Sequence, residues 1–376
     1  MTAAVQQSRR SPFARTGGLY RLLCAVHVVR EGRGDVLRES LVFVLVTWVP
    51  LAAIQLVEWL ASRHVEPLFH DISLHARFLI AAPLLFFAED TLGQRCSTAL
   101  RQLSERVDPP AAERNARLGA RLRTAPFEVA LLALAFFTVN FGPKGLEITS
   151  GPFGAWYRIV AWPLGSFLLL RALWSWIVWC VVLASFARLP LHANALHPDR
   201  SGGLGFLRLP SQGFCAVLTA VSCVVSGAWA TQILFGARRF SIASAALPFA
   251  VFLATALVVT LGPLVALVPQ LYRARLDGLM RYSDLANAYT RRFGERWLQG
   301  PADGSLLGTP DIQSLADLSN AHEVVRKTRI VPFGTETLAA VTLSLAVPLL
   351  PLALLEVPFS EVLRKLLGLI LGGSAS

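Results

Sequence analysis

Apolar positions along this chain are gathered into long runs, and the charged ones lie in the loops between them. From Leu41 onward, seven stretches of roughly 15 to 32 residues are almost free of charge, and most are near the ~20 residues that carry an α-helix across a bilayer. They fall at Leu41–Leu60, Phe78–Leu92, Phe127–Phe141, Trp156–Ala187, Phe214–Phe235, Ile242–Val268 and Leu338–Leu355. The pattern predicts an all-α fold, a polytopic transmembrane bundle of about seven spans. The second span should continue as helix past Gly93, since Ser97–Val107 keeps a helical pattern. The third is short. The fourth is long enough to tilt or to project beyond the lipid.

Outside the spans, helical periodicity persists in places. Leu19, Leu22, Leu23, Val26 and Val29 recur at helical spacing among seven arginines, which fits an amphipathic helix on the membrane surface or a loosely ordered basic leader. Leu276, Leu279, Met280, Tyr289, Phe293 and Trp297 form a partly helical stripe prolonging span six. Gly-Pro, Asp-Gly and Pro-Asp turn signals then break it. A second helix follows, with Ile312, Leu315 and Leu318 on one face. The expected organisation is a basic segment 1–40, six spans with their loops 41–268, a helical hairpin 269–333, and a seventh span with an amphipathic tail 334–376. The tail, LRKLLGLIL after Pro358, reads as interfacial or re-entrant.

Composition agrees: 54% hydrophobic, 16% charged and a mean hydropathy of +0.53, far from a soluble domain. The net charge of +11 does not point to nucleic acid, because the basic residues are spread over loops rather than gathered in a patch. With alternating spans, 26 Arg and Lys fall on one side, 8 on the other, and Arg171 inside a span. The positive-inside rule then puts the N-terminus in the cytoplasm and, after seven spans, the C-terminus outside, in the periplasm of a bacterial inner membrane. Five cysteines are scattered without a C-x-x-C, and read as buried free thiols. No cleaved signal peptide is expected.

Charges inside spans are the leading functional candidates, since burying them in lipid is unfavourable. Asp90 lies roughly 18 Å below the outer end of span two and Arg171 about 22 Å below Trp156, at 1.5 Å per residue. Arg171 is thus placed to pair with Glu89 or Asp90. The plainer alternative makes Trp174, Trp176 and Trp179 an interfacial belt, with Arg171 among headgroups. Between spans four and five, His192, His197, Asp199, Arg200, Gly202, Gly203 and Gly205 combine polar ligands with a flexible backbone. Such a loop can bind an anion, or it can be a capped turn in which Pro198 and Asp199 start a reversal completed by glycines. His64, His70, Asp71 and His75 offer imidazole and carboxylate donors suited to zinc, copper or nickel, without a tight ligand spacing. Walker, G-x-S-x-G and H-E-x-x-H motifs are absent from the sequence, so no enzymatic activity is expected and no cofactor is indicated.

The loop LHPDRSGGLGFL and the stretch SLADLSNAHEVVRKTRIVPF, with the Pro-rich span and E-x-L-x-K-L-L tail after them, resemble uncharacterised bacterial inner-membrane proteins. That resemblance covers the second half of the chain and implies a membrane location but no activity. The HPDR tetrapeptide also occurs in J-domains, where it joins two soluble helices; here an apolar span precedes it, and that match is rejected. The topology alone is similar to that of insect chemoreceptor-type channels. The expected function is channel- or transporter-like permeation of a small solute or ion by a lipid-embedded protein, with a second copy of the chain, forming a homo-oligomer, among the candidate partners. The alternative is a membrane sensor or scaffold whose hairpin docks a partner.

Overall fold

The computed structural model describes residue 13 and residues 36–62, 71–138, 151–235, 242–299 and 310–352. Among the described residues all regular structure is helical. The helices are α1 (Val36–Ser62), α2 (Ile72–Ser104), α3 (Pro109–Arg121), α4 (Ala125–Thr138) and α5 (Pro152–Ala187), followed by α6 (Arg208–Phe235), α7 (Ile242–Val265), α8 (Val268–Trp297), α9 (Pro310–Arg326) and α10 (Thr335–Ala346). Six of them, α1, α2, α5, α6, α7 and α10 with the turn after it, are long and apolar enough to cross a membrane. This is a multi-pass integral membrane protein. The third expected span is represented by α4, whose 14 residues cover about 21 Å of the ~30 Å hydrocarbon layer; the described residues stop at Thr138. The amphipathic pattern at 19–29 and the tail after Pro358 lie outside the described residues.

Helix α2 is the centre of the bundle, with α1, α5 and α6 against it. Its buried positions Leu85, Glu89, Leu92, Cys96, Ala99 and Leu103 follow a helical stripe. α6 approaches closely because two glycines face α2. A Cβ on Gly213 would lie 3.1 Å from the Leu92 Cα, and one on Gly227 would lie 2.8 Å from the Ala76 Cβ. Small residues at such crossings let helix backbones meet in lipid, where no hydrophobic effect drives association. Ser222 strengthens the opposite side of α6, donating to the Leu345 carbonyl of α10 at 2.6 Å. Trp176 stacks on Phe214 with centroids 4.5 Å apart.

Helices α2 and α5 each contain a π-helical turn, at Ala76–Ala81 and Tyr157–Ala161. Each precedes a proline, Pro83 or Pro163. A proline lacks an N–H and crowds the carbonyl four residues back, here Leu79 or Ile159. Widening the helix by one residue at that point relieves the conflict. The two wide turns touch: Phe78 meets Tyr157 edge-on at 6.4 Å, and Arg77 donates to the Tyr157 hydroxyl at 2.9 Å.

Beyond the arginine-rich end of the bundle, α8 and α9 pair as a hairpin. Trp297 donates to the Asp311 carboxylate at 3.0 Å, Arg296 lies 3.0 Å from the same group, and Tyr289 donates to the Asp311 carbonyl at 2.9 Å. The apolar stripe expected on α8 divides in two. Leu279, Tyr289, Phe293 and Trp297 are half-buried, whereas Leu276 and Met280 are exposed.

Candidate functional site

Glu89 and Arg171 meet inside the bundle, with Arg171 Nη2 2.7 Å from Glu89 Oε1 and both side chains less than a tenth exposed. Glu89 is on the buried stripe of α2; Asp90 is about 100° further round the helix and takes a different partner, accepting from Gln94 at 2.9 Å. Asp90 therefore does not belong to the pair. The approach is a charge contact with poor donor alignment: neither Glu89 Oε1 nor Arg171 Nε has a hydrogen-bond partner. Arg123, just before α4, stands in the field of both, attracted by Glu89 and opposed by Arg171. Its position among the basic loop residues gave no sign of this.

A cavity of about 10 Å3 borders the Arg171 side of the pair, lined by Arg123, Phe127, Glu128, Leu131, Arg171, Trp174 and Ser175. That is room for about one water molecule. The neighbouring tryptophans do not form an interfacial belt. Trp176 and Trp179 are almost completely buried. Trp174 stacks on Phe127 with centroids 5.1 Å apart and donates to the Leu122 carbonyl at 2.8 Å, so it fastens α5 to the start of α4.

The loop between α5 and α6 is organised by Asp199. Its Oδ1 accepts from the Ser201 amide at 2.8 Å and the Gly203 amide at 3.0 Å, and its Oδ2 from the Gly205 amide at 2.9 Å. Burial pushes the Asp199 carboxyl up, but those three amides and His197 outweigh it and hold the carboxyl below its ordinary value. The backbone turns through left-handed conformations at Arg200, Gly202 and Gly203, with φ of 53°, 64° and 81°, which glycine adopts without a steric penalty. The amides that could have cradled an outside anion thus hold the chain's own carboxylate. His197 Nδ1 accepts from the Asp199 amide at 3.3 Å; in its protonated form it faces Oδ1 at 2.9 Å. His192 is exposed.

This loop is also a junction. The Arg200 carbonyl accepts from the Arg329 amide at 2.7 Å, and Thr328 donates to the Ala195 carbonyl at 3.0 Å. Gln270 of α8 donates to the Ala187 and Leu189 carbonyls. The Arg106 guanidinium, just after α2, lies where a Cβ on Gly203 would come within 2.8 Å of it. The ends of α2, α5 and α6 are thereby fastened to the hairpin and to the segment before α10.

The residues weighed for metal separate. His64 and His70 lie outside the described residues. The Asp71 carboxylate caps α2, accepting from the Leu74 amide at 3.1 Å. His75 Nδ1 accepts from Trp48 at 3.1 Å. Among the described residues no three His, Cys, Asp or Glu side chains gather to hold a metal ion. The chain matches no family model, no curated protein and no solved structure.

Proposed function

We propose that this membrane protein is a channel- or transporter-like permeation protein of a bacterial inner membrane, passing a small solute or ion by the Arg171–Glu89 pair. The observation that carries the reading is a buried ion pair with unfilled hydrogen-bonding capacity, whose Arg171 lines a water-sized cavity. Ionisable groups at such depth commonly mark polar pathways between helices. As shaped, the cavity admits water and nothing larger, so passage of a solute requires α4 and α5 to separate further. The arginine asymmetry supports placing the N-terminus in the cytoplasm.

Purified protein in liposomes loaded with a pH-sensitive dye tests this, with a potassium diffusion potential to drive protons and parallel assays for chloride and potassium. The expected result is flux above empty liposomes, abolished by Arg171→Leu. Folded protein that passes none of the three would favour the docking reading. That second reading has its own support: Tyr272, Leu276 and Met280, at successive i,i+4 positions on α8, are 52%, 41% and 67% exposed.

A further inference from the structure

We propose that a polar seam on α2, at the arginine-rich end of the bundle, is a binding site for the headgroup of an anionic phospholipid. Thr91, Arg95, Thr98 and Gln102 follow one another at i, i+4, i+7 and i+11. At about 100° per residue they share one flank of the helix, within roughly 60° of arc. All four side chains are half-buried. Among the described residues none of the four makes a side-chain hydrogen bond or an ion pair, whereas their neighbours Gln94, Ser97 and Ser104 do. Arg95 passes close over Gly213 of α6. A Cβ there would lie 3.3 Å from the Arg95 Cδ, so the missing side chain leaves room for the arginine stem.

The chemistry of the four fits a phosphate. A guanidinium, two hydroxyls and a carboxamide all donate hydrogen bonds, and arginine meets phosphate oxygens with two parallel donors. With no carboxylate paired to it, the Arg95 charge is available to an outside anion. Depth places that anion at a lipid boundary rather than in open water. At 1.5 Å per residue Arg95 lies about 27 Å from Arg77 along α2, close to the ~30 Å hydrocarbon thickness, so one arginine marks each boundary. Towards the middle of the helix the same flank turns apolar, with Phe87 52% exposed and Leu84 half-buried. A headgroup held on the polar part leaves an acyl chain to run along Phe87 and Leu84, a surface that a free phosphate does not use. Basic pockets beside spans are a recurring way to hold anionic lipid. The inference rests on α2 and Gly213 and stands whether or not a solute crosses the protein.

Thermal unfolding of the full-length protein in uncharged detergent, with phosphatidylglycerol, phosphatidylcholine or inorganic phosphate added, tests the site. Phosphatidylglycerol at about a hundredfold excess over its dissociation constant should raise the melting temperature by about 3 °C for a chain of this size. Phosphatidylcholine and inorganic phosphate should each raise it by less than about 1 °C. Arg95→Gln should remove most of the phosphatidylglycerol shift and Arg95→Lys should keep part of it. Arg291→Gln, at an exposed position of α8, should keep all of it. Thr98→Val, close in volume, should weaken the lipid affinity severalfold and carries the test if Arg95→Gln does not accumulate folded. An undiminished shift in Arg95→Gln, or in Thr98→Val where that variant carries the test, would overturn the proposal. Equal stabilisation by phosphatidylcholine would overturn it too, since the apolar flank alone would then account for the effect. So would equal stabilisation by inorganic phosphate, which would mean a site for free anions.

Discussion

Replacing Asp199 with alanine probes the junction between α5 and α6 most directly. The substitution removes the acceptor for three amides at 2.8 to 3.0 Å, and Ser201 and Gly203 are buried residues. A hydrogen bond to a charged group contributes about 1.5–3 kcal/mol. The carboxylate is partly exposed and water can refill part of the nest, so the sum is discounted to about 3 kcal/mol. With unfolding entropy near 2.1 cal/mol/K per residue, that lowers the melting temperature by about 4 °C for a chain of this size. Asp199→Asn should fall between, because it keeps one acceptor oxygen but turns an NH2 group towards one of the amides. The pH dependence has a definite sign. A carboxyl held below its ordinary value stabilises the fold above its unfolded pKa, near 3.9. That contribution is lost as pH falls through the lower folded value. The gap between wild type and Asp199→Ala should therefore be full at neutral pH and shrink only in strong acid. Thermal unfolding in detergent, followed by the loss of the monodisperse gel-filtration peak, measures both. A melting temperature within 1 °C of wild type at pH 7 would refute the reasoning, as would a gap that closes near pH 6.

Two further outcomes are expected. Breaking the buried pair with Glu89→Gln alone should lower stability by about 3–5 kcal/mol by stranding Arg171, and Arg171→Leu combined with Glu89→Gln should recover part of that loss; strict additivity in folded yield would show that the two do not interact. Cysteines introduced between Arg101 and Arg123, or near Trp297, should react with impermeant maleimide only from the cytoplasmic face, and labelling in intact cells would reverse the orientation.

Hydrophobic periodicity carried the helices well because in a bilayer each span must satisfy its own backbone, which leaves little freedom in secondary structure. The π-turns were equally visible in principle, each sitting one turn before Pro83 or Pro163. Depth along a helix could be read by counting residues, which brought Arg171 level with Glu89 and Asp90. Azimuth could not be read from depth, and only one of two adjacent carboxylates faces the core. The distinction was nonetheless present in the sequence: Leu85, Leu92, Cys96, Ala99 and Leu103 define a stripe that includes 89 and omits 90. Arg123 left no such trace. Its position depends on contacts between segments far apart in the chain. The tryptophans of α5 misled for a related reason. Trp174 and Trp176 supply indole donors to the Leu122 carbonyl between α3 and α4 and to the Val259 carbonyl of α7, a use that composition cannot distinguish from an interfacial belt.

The energetics of the Arg171–Glu89 pair decide how its presence should be understood. Moving two charges out of water is opposed by several kcal/mol per ion, and the mutual attraction offsets this only when the remaining donors and acceptors are also satisfied. Here they are not: Arg171 Nε and Glu89 Oε1 lack hydrogen bonds although the charges are 2.7 Å apart. Apolar side chains of similar volume would hold α2 against α5 at least as well, and buried Leu92 of α2 and Leu168 and Ala172 of α5 already belong to one apolar cluster. The pair is therefore a poor device for stability, and Arg123 close by adds repulsion from Arg171 to its environment. What the arrangement does supply is a polar point inside an apolar bundle, with Arg171 lining a water-sized cavity. Unpaired buried polar atoms are better solvated wherever water reaches them, so the groups that weaken the bundle are also the ones that hydration would favour.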